Sequence, residues 1–173
     1  PDGTYRSEIW NDGLGTPLRY PVTVTVEGER ISVDFAGAPP QQPRGGSNCT
    51  YSYTAAHSVY PLKCVLSPAV PSNAGCYRPF SVTAPEGSIL NCVKPASVNV
   101  RTRTGWYIAP NLFMALADAL PDRVQAFTGL PASITLYRQG PDGRFYNDHL
   151  FQGGGQGASA QGDFLQLPAR REA

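Results

Sequence analysis

The chain has no initiator methionine, no charged-then-apolar leader and no apolar run long enough to cross a bilayer. These absences predict a soluble piece of a longer polypeptide, truncated at both ends, with no membrane partner. A large charge of either sign is also missing. Fourteen basic residues against thirteen acidic ones leave +1, so no global field draws in nucleic acid or an anionic surface. The Arg170-Arg171 pair near the end reads as a frayed terminus. Close cysteine pairs are absent too: Cys49, Cys64, Cys76 and Cys92 lie 15, 12 and 16 residues apart, which fits neither a zinc ribbon nor a thioredoxin-like motif. With 173 residues, 41% of them hydrophobic, one ordinary core forms without staples, so free thiols and a cytoplasmic location are the expectation.

Signatures of familiar chemistry are missing as well. No Lys-Ser or Lys-Thr follows the glycine cluster Gly153-Gly154-Gly155-Gln156-Gly157, which excludes a Walker-type phosphate loop. There is no G-x-S-x-G elbow, and no cysteine neighbours a histidine in sequence, so no nucleophile is assigned. The two histidines, His57 and His149, make no metal site by themselves. Asp148 and His149 fall on a predicted strand, where adjacent side chains point to opposite faces.

What is present begins with Val22-Thr23-Val24-Thr25-Val26 and Ile31-Ser32-Val33-Asp34-Phe35, two alternating runs around a turn containing Gly28. The period of two predicts a β-hairpin that buries its valines, Ile31 and Phe35 and turns its threonines and Ser32 outward. Gly37 to Gly46 carries three prolines and reads as a mobile loop. Ala56, Tyr60 and Cys64 are spaced for a helix over Thr54 to Leu66, kinked or split by Pro61. A second helix is predicted from Leu112, Phe113, Leu116 and Leu120, with Pro110 in its first turn and Pro121 closing it. Phe80 to Thr83, Val124 to Phe127, Ser133 to Arg138 and Phe145 to Phe151 read as strands, the last two joined by the turn Gly140 to Arg144. The predicted class is α+β, with strand-rich antiparallel sheets, about two helices and long irregular loops. Strands and helices do not alternate as a doubly wound sheet requires.

Several polar residues have the chemistry for a site. Glu8, Asp12, Asp34 and Glu86 could serve as acid or base, though each also suits a turn or cap. The glycines Gly154, Gly155 and Gly157 could bring backbone amides against a substrate, or could simply form a strand-end turn or linker.

Read in order, the segments resemble one known family. They are Asp2-Gly3-Thr4-Tyr5 with Glu8 and Asp12-Gly13, Val33-Asp34-Phe35-Ala36-Gly37, Asn48, and Pro71, Asn73, Gly75 with Arg78-Pro79. Then come Ala84-Pro85-Glu86-Gly87-Ser88-Ile89-Leu90-Asn91, Pro95-Ala96 with Arg101, Ala115 to Pro121 with Arg123 and Ala126, and Gly153 to Ala158. Together they resemble the hydantoinase B/5-oxoprolinase family over almost the whole chain, as a single partial domain spanning 1–173. The resemblance implies the hydrolytic subunit of an ATP-dependent cyclic amide hydrolase. ATP would be bound by a hydantoinase A-type ATPase subunit or fused domain, and any divalent metal would take its ligands outside this chain. For that chemistry Glu86, Arg78 and Asn91 are the expected catalytic residues and Asn73, Arg101, Gly154, Gly155 and Gly157 the expected substrate-binding ones, with no metal ligand expected within the chain. Arg78 and Arg101 offer planar forks to phosphate or carboxylate, Asn73 and Asn91 can orient a carbonyl or water, and Glu86 can act as base. The competing role for Asn73, Glu86 and Asn91 is to satisfy backbone groups in irregular loops. Related subunits in acetone- and acetophenone-type carboxylases, or a docking and scaffold role without catalysis, are the alternatives. The isolated piece is expected to be inactive.

Overall fold

The computed structural model describes residues 1–130, 132–152 and 157–160. The chain opens with β1 (Gly3–Asn11), β2 (Leu18–Glu27) and β3 (Arg30–Asp34), continues through α1 (Tyr51–Leu66), α2 (Ala74–Tyr77) and β4 (Phe80–Thr83), and then α3 (Thr102–Gly105), α4 (Ile108–Leu116), β5 (Ala132–Gln139) and β6 (Phe145–Gln152). The class is α+β, with a four-stranded sheet in the order β1-β2-β3-β4 and a separate two-stranded sheet of β5 and β6. The two short helices are single turns of four residues.

The predicted hairpin is β2 and β3, with Val24 opposite Val33 and Val26 opposite Ile31. Val22, Val24, Val33 and Phe35 are buried, and Val26 and Ile31 are half-buried. β1 pairs along the other side of β2, a strand the hydropathy pattern did not announce. β4 departs from the expected antiparallel rule: Ile31 to Asp34 pair with Phe80 to Thr83 in parallel, so the sheet is mixed. Pro21 sits in β2 beyond the point where β3 pairs, leaving one side of the strand open where a proline is tolerated.

One face of this sheet packs on α4, which in turn packs on α1. The core joins Leu18, Tyr20, Val22 and Val24 of β2 to Leu62 of α1, Ile89 and Leu90 of the following loop, and Ile108, Leu112 and Leu116 of α4. Leu62 and Leu112 have no exposed surface, and burying a leucine side chain completely contributes roughly 1.5–3 kcal/mol. The buried Asn111 crosses the layers. Its amide donates to the Tyr20 carbonyl at 2.8 Å, and its side-chain oxygen accepts from Ser7 Oγ at 2.5 Å.

Three expectations need correction. α1 runs unbroken through Pro61, and its buried face is Thr54, Ser58, Pro61, Leu62 and Lys63, while Ala56, Tyr60 and Cys64 face outward. The polar face is buried because Thr54 Oγ1 donates to the Leu90 carbonyl at 2.6 Å and Ser58 Oγ to the Thr54 carbonyl at 2.8 Å. Val124 to Phe127 forms no strand; Gln125 makes an isolated bridge to Ser159. The Pro-rich loop is also tied down: Gln41 N donates to the Gly87 carbonyl at 2.8 Å, Ile89 N to that of Pro39 at 2.9 Å and Val100 N to that of Gly46 at 2.8 Å. Buried Asn48 accepts from Gln42 N at 2.7 Å and donates to the carbonyls of Gln42 and Ser97 at 2.8 and 3.0 Å.

Candidate functional site

Two parts of the surface carry chemistry. The first is the shelf of loops around residues 71–101, which holds most of the residues picked from sequence. Asn73 caps α2: its side-chain oxygen accepts from Gly75 N at 2.8 Å and Cys76 N at 3.1 Å, and its amide donates to the Pro71 carbonyl at 3.2 Å. Asparagine is among the best residues for this task, because it satisfies orphan donors of the first turn. Asn91 closes the 84–91 loop, its amide donating to the Ala84 carbonyl at 3.0 Å while its own carbonyl accepts from Gly87 N at 2.9 Å. Both asparagines thus satisfy backbone groups locally, and Asn91 is half-buried.

Glu86 and Arg78 differ from them. Both are exposed, at the loop crest and at the C-cap of α2, and no hydrogen bond or ion pair among the described residues engages the Glu86 carboxylate or the Arg78 guanidinium. Gly87 has φ +77°, a left-handed turn that brings the chain back immediately after Glu86. Beneath the crest, Ser88 Oγ is the buried side-chain polar atom left without a partner among the described residues. Arg101 lies farther along: its guanidinium donates to the Val98 carbonyl at 3.1 Å and covers the Tyr53 ring, 5.4 Å from its centroid. Gly157 is buried, and a Cβ added there would fall on the Ala126 carbonyl, so this glycine is required by close backbone contact. Gly154 and Gly155 lie outside the described residues, as do Arg170 and Arg171.

The second part is an apolar groove of about 960 Å³, walled by α1, α3, α4 and the segment 125–128. From α1 it is lined by the outward stripe of Ala56, Tyr60 and Cys64 together with His57 and Val59; Trp106, Ala109, Pro110 and Phe113 line it from the start of α4, and Tyr77 and Phe127 add two further rings. Trp106 is held by its indole N–H, which donates to the Gly129 carbonyl at 2.9 Å. The His57 ring lies 4.1 Å from that of Tyr53, and burial holds the imidazole below its ordinary value of 6.5, which favours the neutral form. Cys49, behind Tyr53, is fully buried, and desolvation pushes its thiol up to about 12, so it stays protonated.

None of Asn73, Arg78, Glu86, Asn91 and Arg101 lines the groove. Arg101 approaches it only through the stack on Tyr53 and His57. The wall residues were missed because their spacing signals a helix face without saying which way it turns. Among the described residues no group of three or more His, Cys, Asp or Glu side chains is placed to hold a metal ion. His149 lies on the separate hairpin, its Nδ1 2.9 Å from Thr135 Oγ1.

The sequence model of the hydantoinase B/oxoprolinase family matches residues 1–166. The chain belongs to this family. It is 32% identical over 142 residues to a putative D-/L-hydantoinase of Pseudomonas sp. (strain NS671), in that enzyme's B-type chain, a match covering 75% of this chain and 24% of that protein. The ATP-dependent caprolactamase of Pseudomonas jessenii superposes with a TM-score of 0.69 at 25% identity, over 87% of this chain and 26% of its own. A nucleotide-free acetone carboxylase superposes with a TM-score of 0.71 over 95% of this chain and 25% of its own, but at 15% identity it shares the fold alone. The chain thus spans about a quarter of the length of these proteins. As a hydantoinase B-type chain it has, among the described residues, no helix long and apolar enough to cross a membrane.

Proposed function

We propose that this chain is part of the hydrolytic subunit of an ATP-dependent cyclic amide hydrolase. The amide would be phosphorylated at a hydantoinase A-type ATPase subunit or fused domain and opened by water here. The observation that carries this reading is the family match over residues 1–166, together with 32% identity to the hydantoinase B-type chain of Pseudomonas sp.. The solved structure that keeps 25% identity is a lactam-opening enzyme, which favours hydrolysis over carboxylation.

On this reading residues 1–173 are one partial domain, and the 71–101 shelf faces the activated amide. Opening it requires a base for water and donors for the developing oxyanion and phosphate. Glu86, exposed and unengaged, is the base; the Arg78 fork holds anionic oxygen, with Arg101 as a further cation. Asn73 and Asn91 hold α2 and the 84–91 loop in shape beside them, and Gly154, Gly155 and Gly157 belong to a substrate-side turn. ATP supplies the leaving phosphate from the partner. A divalent metal, where one takes part, would take its ligands from outside this chain. The four free thiols suit the cytoplasm.

The test is ATP turnover by the full-length protein with its ATPase partner on hydantoins, 5-oxoproline, other lactams and ketones, with and without bicarbonate. Amide-dependent turnover indifferent to bicarbonate is expected, and Glu86→Gln should lower kcat at least about 100-fold. Turnover on ketones only, and only with bicarbonate, would move the chain to the carboxylases; a complex with the partner that turns over nothing would leave a scaffold.

A further inference from the structure

We propose that the groove lined by α1, α3, α4 and residues 125–128 is an interface inside the full-length hydantoinase B-type chain, covered by an apolar segment of the same polypeptide from outside residues 1–173. This inference rests on the family and the surface, and stands or falls independently of the hydrolase reading.

The surface comes first. Tyr60 is 65% exposed and Tyr77, Trp106 and Phe127 are each 38% exposed, and all four line the groove. An aromatic side chain presents roughly 150–250 Å², so together they leave on the order of 300–400 Å² of ring surface open. That equals the largest apolar patch a typical soluble monomer shows, and such a patch marks a contact site. The rings are also fixed in place. The Trp106 indole donates to the Gly129 carbonyl at 2.9 Å, and the Phe127 ring packs on that of Tyr107 with centroids 5.7 Å apart. A contact formed on rings already ordered loses little side-chain freedom.

Chain length names the occupant. The matches take up 24% of the Pseudomonas hydantoinase B-type chain and 26% and 25% of the two solved chains. About three quarters of each of those polypeptides is therefore other sequence, joined covalently to the counterpart of this one. A segment of the same polypeptide reaches the groove at high effective concentration and needs no second chain. A separate subunit or a second copy would leave these rings in water until it arrived, at a cost in exposed apolar surface.

Cys64 provides the reporter, because it is an exposed free thiol lining the groove. In the full-length protein without its ATPase partner, modification of Cys64 by N-ethylmaleimide is followed by peptide mass spectrometry, natively and in guanidinium chloride. The expected result is a native rate slower by roughly 100-fold or more, unchanged on tenfold dilution of the protein. A second measurement identifies the cover. With p-benzoyl-L-phenylalanine in place of Tyr60, irradiation should cross-link this position to a peptide of the same chain outside residues 1–173. A Cys64 that reacts natively within about 10-fold of its denatured rate would show an open groove and overturn the proposal. Protection that requires the ATPase partner, or that fades on dilution, would assign the surface to another chain and overturn it equally. So would a cross-link to the ATPase subunit or domain, to a second copy or within residues 1–173, or no cross-link at all.

Discussion

The four-stranded sheet with α1 and α4 and the β5–β6 hairpin obey the same pairing rules and end in opposite states. In the first, alternating strands bury Val22, Val24 and Val33 against two helices, and the polar side chains drawn inside, Asn48, Thr54 and Asn111, find partners. In the second, eight consecutive pairs from Ala132–Gln152 to Gln139–Phe145 form a regular ladder, yet Ile134, Leu136, Tyr137, Phe145 and Leu150 remain exposed. Phe145 is 81% exposed. Strand pairing alone leaves a two-stranded sheet marginal; a face acquires energetic weight only when something lies on it. The first region is a packed unit, and the second is a ladder waiting for a cover.

That contrast can be broken or sharpened by substitution. Leu62→Ala in the packed unit should destabilise by roughly 2–5 kcal/mol, read from urea unfolding, because a fully buried side chain leaves a cavity. Asn48→Ala should cost about 2–3 kcal/mol in the same assay, since it strands the Gln42 amide and carbonyl beneath the Pro-rich loop. Leu136→Ala, half-exposed on the hairpin, should change stability by about 0.5 kcal/mol or less. A loss above about 1 kcal/mol would show that the hairpin is covered after all.

The smallest effect concerns His57 at the rim of the packed unit. Its folded value lies below 6.5, so the unfolded chain takes up a proton more readily. The associated stability is complete above 6.5 and is lost as pH falls from there through the lowered folded value. His57→Phe should flatten this part of a stability-versus-pH curve; an unchanged slope would show that the ring titrates as freely as in solvent.

Legibility in the sequence follows the same division. The β2–β3 and β5–β6 hairpins were readable because period-two patterns and glycine turns are local signals. β1 was not, because its inward positions Tyr5, Ser7, Ile9 and Asn11 mix polar with apolar and are only half-buried. The helix over α1 was evident, but its inward face was not: which stripe is buried depends on Leu90 offering a carbonyl to Thr54, 36 residues away in sequence. At the site, the sequence left Asn73 between binding substrate and satisfying backbone groups, and in the structure it caps α2, whereas the groove arises where α1, α3, α4 and residues 125–128 converge, and no local pattern encodes that convergence.

The parallel seat of β4 has a consequence for synthesis. β3 leaves the ribosome about 45 residues before its neighbour, so during that interval its outer row of amides and carbonyls has no pairing strand. Its exposed edge is not wholly apolar: Asp34 sits at its end, and in the finished sheet its carboxylate accepts from Thr83 Oγ1 at 2.8 Å. A charge that disfavours mispairing in the nascent chain thus becomes a bond partner once β4 arrives, and the order of emergence is built into the shape of the sheet.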